Sequence, residues 1–334
     1  PVYVYCHAGG RSKKAAEILI DLGQKEVYNI VGGYSDWIEK GYKVVNQGKE
    51  LSFASKTYSK DEIEKVINQN ELSETVYIYF NIIKLSKGEE FTICLKGYEI
   101  CIVPATGSID VEISNKTFEN IGNRKTDVWD GEPECIYIPC NQEAKIKCVS
   151  RNCELFLAGA KYDTILEPFV IRSNEIDLVQ YGSDKTKTHR KIKHLLGQKQ
   201  SQKVGRLLVS ELFTVGAGGW SGFPSHKHDT DRLPLETKHD EAYNFRFRPN
   251  HGSALQLLQA ENKDQGKSFH IVDGSTFCIS NGYHPVCVLP GYEMYYFTIL
   301  AGYSQRPLVQ FFQPVHEYQV DLIPGIKDMV AKFK

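Results

Sequence analysis

A mainly β protein, with two β-barrels in tandem behind a short α/β segment, is the fold class this sequence predicts. Short apolar runs broken by Gly, Pro and Asn fill residues 76–160 and again 205–318, and such runs between turn residues read as strands. The two series share one strand-and-turn texture, so the same barrel is expected twice. Residues 1–45 differ, alternating strand, helix, strand, helix in the manner of a parallel sheet.

In chain order, the strand "PVYVYC" leads into the Gly-bearing turn "HAGGRS", the helix "SKKAAEILIDLG", the strand "EVYNIVGG" and a second helical stretch, "YSDWIEKG". Residues 46–75 turn polar and are expected to form a linker with one short helix at 60–69. The first barrel is placed at 76–180, on "VYIYFNIIKL", "EEFTICL", "EICIVPATGSIDVEI", "ECIYIP", "AKIKCVS" and "CELFLAGA". The basic stretch "DKTKTHRKIKHLLGQKQSQK" within 181–204 has no interleaved aromatics, so it reads as a solvated connection rather than a nucleic-acid patch. The second barrel occupies 205–320, with "RLLVSELFTV", "EAYNFRFRP", "SALQLLQAE", "SFHIVDGS", "TFCISNGYHPVCVLPGYEMYYFTIL" and "PLVQFFQP" as its strands, and 321–334 is a tail.

Composition excludes whole classes of partner. Forty basic residues against 41 acidic ones leave a net charge of -1 in 334 residues, so no global field draws nucleic acid or an anionic membrane. No apolar run approaches the roughly 20 residues of a membrane span, and no leader opens the chain, which points to the cytoplasm. Nine scattered cysteines without a CxxC pair are expected to be reduced thiols. Self-association into a homo-oligomer is left open.

Cys6 ends a strand shortly before a helix begins, so its thiol faces the amides of Ala8, Gly9 and Gly10, with Arg11 adding a fixed positive charge. A nest of amides at a helix start favours an anion, here a thiolate. Cys6-x-x-Gly9-x-Arg11-Ser12, followed by "AAEIL", "VYNIVGG" and "DW", resembles the C-terminal half of a rhodanese domain. The resemblance implies a cysteine that carries a persulfide sulfur, and hence a sulfurtransferase. The first half of that domain has no counterpart here, and a chain opening on Pro1 is expected to be a fragment, so this partial segment is expected to be catalytically idle.

"SHKHD", residues 225–229, carries the second candidate site. On a strand, residues i and i+2 share a face, so His226 and His228 can converge on one ion while Lys227 points away. Glu241 opens the next strand, and the alternation of Tyr243, Phe245 and Phe247 behind it puts Glu241 on the lumen-facing phase, ahead of its rival Glu236. His284 in "NGYHPV" completes the set. Three imidazoles and a carboxylate suit Zn²⁺ first, with Mn²⁺, Fe²⁺ or Ni²⁺ as alternatives. His239, His251 and His270 belong to no motif.

The order HxH, Glu, then a distant His resembles the cupin metal motif. The longer strings "GRLLVSELFTVGAGGWSGFPSHKHDTDRLPLETKHDEAYNFRFRP" and "VDGSTFCISNGYHPVCVLPGYEMYYFTILAG" resemble the 5-deoxy-glucuronate isomerase family of inositol catabolism, over about 76–320. The resemblance implies a bicupin whose C-terminal barrel holds a metal through His226, His228, Glu241 and His284. It also implies an aldose–ketose isomerase acting on a small sugar acid, 5-deoxy-glucuronate. The first barrel has no histidine between His7 and His189 and is read as structural. Gln256 matches the family's Gln-Arg pair, but Leu257 stands where the arginine is expected. Tyr243, Tyr283, Tyr295 and Tyr296 are candidates for proton transfer. Arg246 and Lys227 are candidates for the substrate carboxylate, although strand phase points both away from the ion. Two alternatives stand beside the isomerase: a cupin that binds a sugar acid or metal without turnover, and a rhodanese-type sulfurtransferase.

Overall fold

The computed structural model describes residues 2–4, 10–29, 31, 57–58, 75–261 and 265–332. Two compact units divide the chain, residues 1–51 and 52–334. In the first, strand β1 (Val2–Val4) pairs in parallel with β2 (Val27–Asn29), joined by helix α1 (Gly10–Asp21). The helix starts two residues before the expected Ser12 and buries Ser12 and Ala16. Cys6, Ala8 and Gly9 lie outside the described residues, as do the helices expected at 34–41 and 60–69.

The second unit is built from one plan used twice. Its first half contains β3 (Thr57–Tyr58), β4 (Ile78–Ser86), β5 (Glu90–Ile93), β6 (Tyr98–Thr106), β7 (Ile109–Ile113) and β8 (Lys116–Ile121). It continues through β9 (Cys135–Ile138), β10 (Ala144–Cys148), β11 (Asn152–Lys161) and β12 (Phe169–Ile171). These form a six-stranded sheet, β12-β9-β6-β11-β4-β3, and a four-stranded one, β5-β10-β7-β8.

The second half begins with β13 (Asp177–Tyr181), β14 (Arg190–Leu196), β15 (Leu207–Thr214), β16 (Gly219–Ser221), β17 (His226–Lys227) and β18 (His239–Arg248). It ends with β19 (Ser253–Leu258), β20 (Lys267–Val272), β21 (Thr276–Ile279), β22 (Val286–Val288), β23 (Glu293–Gly302) and β24 (Phe311–Phe312). Again a six-stranded sheet, β13-β14-β15-β23-β18-β21, faces a four-stranded one, β16-β22-β19-β20. The expected bicupin is what the chain forms.

Strand alternation explains why the long strands read as unbroken apolar runs. On β4, Ile78, Phe80 and Ile82 join a core shared by the two barrels, while Tyr79 and Ile83 fill the first lumen. On β23, Tyr295, Phe297 and Ile299 enter that shared core, while Met294 and Tyr296 face the second lumen. Both faces are buried, so apolar residues fill nearly all of both, and Asn81 and Thr298 are the polar residues buried among them. Phe156 and Phe297, one from each barrel, meet with ring centroids 5.1 Å apart. Arg124 adds a buried bidentate pair with Glu211, at 2.7 and 2.6 Å. Glu99 of the first barrel accepts the amides of Gly205, Arg206 and Leu207 at the entrance to β15.

Two expectations are corrected here. The basic stretch read as a solvated connection contains β14, an inner strand of the second barrel's large sheet. Its Ile192, Leu195 and Leu196 are buried, and the lysines between them masked that alternation. The tail is not free either: helix α2 (Ile326–Ala331) packs Ile326 and Met329 against Val179, Tyr181 and Ile192.

Candidate metal centre

His226 opens β17, which pairs with β24, and His228 directly follows that short strand, with the two ring centroids 6.3 Å apart. Lys227 points the other way, into a cluster with Asp229, Glu236 and Glu261. Glu241 stands near the start of β18, opposite Leu300 of β23, and His284 sits in the turn before Pro285. The Nδ1 or Nε2 atoms of the three histidines lie within 4.8 Å of one another. A closely spaced pair and a histidine more than fifty residues further on thus meet at one end of the second lumen.

The hydrogen bonds around the rings settle how they are oriented. Nδ1 of His226 faces Pro224 O at 3.3 Å, Nδ1 of His228 faces His239 O at 3.1 Å, and Nδ1 of His284 faces Gly282 O at 2.8 Å. A carbonyl only accepts, so each Nδ1 carries the proton and each neutral ring presents its Nε2 lone pair. Gln310 Nε2 donates to Nε2 of His226 at 3.1 Å, which fits the same tautomer. Glu241 Oε2 lies 3.0 Å from Nε2 of His228 and 3.2 Å from Nε2 of His284. Three lone pairs and a carboxylate converge where only a cation satisfies them all, and Nε2 of His284 has no well-aligned hydrogen bond of its own. The donor set fits a divalent metal ion.

Electrostatics agree with that geometry. Burial, reinforced by repulsion from His284 and His228, pushes His226 from 6.5 down to about 3, so its ring stays neutral. Burial alone would raise Glu241, but the hydrogen bonds and charges of His228 and His284 outweigh it and hold the carboxylate well below its ordinary range. Burial likewise opposes charge on His228, but Glu241 wins and the ring titrates above its ordinary value. Without an ion, His228 and Glu241 share a proton in the place a metal would take.

Beside the cluster lies a cavity of about 50 Å³, lined by Glu241, Tyr243, Tyr296, Thr298, Gln310 and Met329, among others. Its size is far below the about 300–1,000 Å³ of ligand pockets, so a sugar acid enters only if part of the wall moves. Neither Thr298 Oγ1 nor Gln310 Oε1 has a hydrogen-bond partner among the described residues. Burial first, then the neighbouring Glu241 charge, raises the Tyr243 phenol, so at neutral pH it is a hydroxyl donor. Tyr296 OH lies 2.6 Å from Ser221 Oγ.

Other candidates fall away from this centre. Glu236 accepts Lys227 Nζ, the amides of Asp229 and Thr230, and Arg232 Nε, so it is no rival ligand. Tyr295 faces the shared core and donates to Glu211 at 3.0 Å. Tyr283 lines a separate groove of about 470 Å³, with Trp220, Phe223, Leu257 and His316. Leu257 therefore faces away from the lumen, while Gln256 points inward and its amide holds His284 O at 2.7 Å. Arg246 is tied to Glu154 at 3.1 Å. His239 is buried, with Nε2 on Arg306 O at 3.0 Å, and His251 packs on Tyr292. Thr298 was legible as the residue in phase with Tyr296; nothing in the sequence marked Gln310 or Met329.

The KduI/IolB family model matches residues 53–319. The chain belongs to that family. The 5-deoxy-glucuronate isomerase of Bacillus subtilis subsp. natto is 31% identical over 247 residues, which cover 74% of this chain and 89% of the relative. That of Halalkalibacterium halodurans is 30% identical over 246 residues, 73% and 88% of the two chains. An IolB-like protein from Salmonella typhimurium LT2 superposes with a TM-score of 0.71 at 28% identity, covering 79% of this chain and 97% of that one. Bacillus subtilis oxalate decarboxylase, 12% identical with a TM-score of 0.53, covers 85% and 89% and shares the fold alone. A rhodanese-like domain model matches residues 1–40. The expectation of an isomerase rests on the KduI/IolB relatives and stands; none of the described helices is long and apolar enough to cross a membrane.

Proposed function

We propose that this KduI/IolB protein is a metal-dependent aldose–ketose isomerase that converts 5-deoxy-glucuronate to 5-dehydro-2-deoxy-gluconate in the cytoplasm, as a step of myo-inositol catabolism. The observation that carries the reading is the convergence of three Nε2 lone pairs and the Glu241 carboxylate on the end of a lumen lined with hydroxyls. His226, His228, Glu241 and His284 would hold the ion, zinc by preference and manganese or iron as alternatives. A divalent ion there supplies Lewis acidity toward a carbonyl and its neighbouring hydroxyl.

The rest of the chemistry belongs to the chain. Moving a carbonyl by one carbon takes a proton from one carbon and returns one to its neighbour, so a proton carrier must stand beside both. Tyr243, next to Glu241, and Tyr296, hydrogen-bonded to Ser221, join Tyr181 as phenols in the cavity wall, and these two are the ones nearest the carboxylate's charge. Their raised pKa values make them donors that hold a proton on substrate oxygen rather than bases that strip carbon. Thr298 Oγ1 and Gln310 Oε1 are left to bind sugar hydroxyls. The buried wall excludes water, which strengthens every one of these contacts.

The test is NMR of 5-deoxy-glucuronate in deuterated water with zinc-loaded protein. Conversion with deuterium at the new methylene carbon is expected. No conversion by folded, metal-loaded protein overturns the reading in favour of a passive binding barrel.

A further inference from the structure

A uronic acid brings a carboxylate into the lumen, and that charge needs a cation. Lys227 and Arg246 are both committed to acidic partners. Arg190, at the start of β14, is different. It shares a face with Ile192 and pairs in register with Tyr181, and both of those line the metal cavity. Its residue is 1% exposed. The phenols of Tyr181 and Tyr296 are its neighbouring titratable groups, with Cys287 beyond them. No carboxylate forms an ion pair with it among the described residues. The other buried arginines are better provided for, each lacking a partner at one nitrogen only: Arg124 pairs with Glu211 and leaves Nε, and Arg306 donates to the carbonyls of Leu207 and Leu196 and leaves Nη1.

The pattern of its hydrogen bonds is more specific still. Nη1 donates to His189 O at 2.6 Å, whereas Nε and Nη2 have no acceptor. Nε–H and Nη2–H lie parallel along one edge of a guanidinium, which is the fork that takes a carboxylate through two hydrogen bonds. A buried cation with that edge open is costly unless an anion arrives. We propose that Arg190 is the substrate-carboxylate receptor of this isomerase, gripping the acid end of the sugar through Nε and Nη2 while the aldehyde end lies at the histidine cluster. Arg190 also lines a surface groove of about 200 Å³ with Asp184, Lys187 and His189, where Asp184 pairs with His189 at 3.1 Å and leaves the Arg190 edge unclaimed. The inference rests on the isomerase reading for its substrate, and on this chain's own geometry for the residue.

The experiment compares 5-deoxy-glucuronate with 5-deoxy-glucose, which has a hydroxymethyl group in place of the carboxylate. Wild type is expected to prefer the acid at least about 100-fold in kcat/KM. Arg190→Gln is expected to raise KM for the acid about 100-fold with a smaller change in kcat, to leave the neutral sugar unchanged and to retain its metal; Arg190→Lys recovers part of the loss. An unchanged KM for the acid, or equal loss for both sugars, overturns the proposal while the isomerase reading stands. Absence of turnover by wild type overturns that reading instead, and calorimetric binding of D-glucuronate to wild type and Arg190→Gln then decides the receptor: loss in the variant upholds it, equal binding overturns it. If Arg190→Gln fails to fold, wild type alone decides, because equal binding of D-glucuronate and D-glucose is incompatible with a carboxylate receptor.

Discussion

Oε2 of Glu241 stands 3.0 Å from Nε2 of His228, a carboxylate and an imidazole sharing the spot where a metal ion would sit. The metal-free protein is therefore expected to remain folded, with that pair as its substitute. Elemental analysis should find one divalent ion per chain, and His226→Ala with His228→Ala should lose it. Chelation should abolish turnover and lower Tm by several degrees, since an ion that binds only the folded state stabilises it. Unchanged metal content in the double variant contradicts the site.

Acid should weaken the metal-free protein through two histidines outside the cluster. Burial lowers His194 and His239 from 6.5 to about 4. The unfolded chain protonates them near pH 6.5 and the folded chain only near 4, so stability is complete above 6.5 and is lost as pH falls through that window. At pH 5 the loss is about 2 kcal/mol per histidine. His226 inside the cluster, lowered to about 3, adds a like loss, and His228, shifted the other way, offsets part of the total. Urea unfolding at pH 7.5 and pH 5 checks this, with a net loss of about 4–6 kcal/mol expected; equal stability contradicts it.

Met329 sets the room beside the cluster. Met329→Trp should fill the cavity, cut kcat/KM at least about tenfold and cost about 1–3 kcal/mol of stability, with metal content unchanged. Met329→Ala should cost about 2 kcal/mol or more yet keep activity within a few-fold. Full activity in the Trp variant would show that substrate does not use this space.

Sulfur chemistry should be separable from isomerisation. Cys6→Ser is expected to leave isomerase kinetics within about twofold, and thiocyanate production from thiosulfate and cyanide should stay at background in both proteins, since a nucleophile loop needs its supporting shell. Robust thiocyanate production that Cys6→Ser removes would make the protein bifunctional.

Much of this was legible because strand alternation is a strict code. The phase of Glu241, Tyr243 and Phe245 placed the carboxylate in the lumen, and HxH placed two imidazoles on one face. The same code, read one residue wrongly, offers both Tyr295 and Tyr296, although only the second faces the cavity. What stayed hidden depended on long-range packing. Arg190 sits in a stretch whose lysines suggested solvent, and its burial follows from β13 and β15 on either side. Met329 reaches the site through a helix that no motif connects to it. Tyr283 lies one residue from a ligand and lines a different groove, because neighbours on an extended chain point to opposite sides.

Helix α2 gives the cavity a wall that is synthesised after everything it encloses. The imidazoles and carboxylate all lie upstream of Met329, which covers one side of the cavity they share. Loosening that helix is then expected to speed the exchange of a bound ion while leaving every ligand in place.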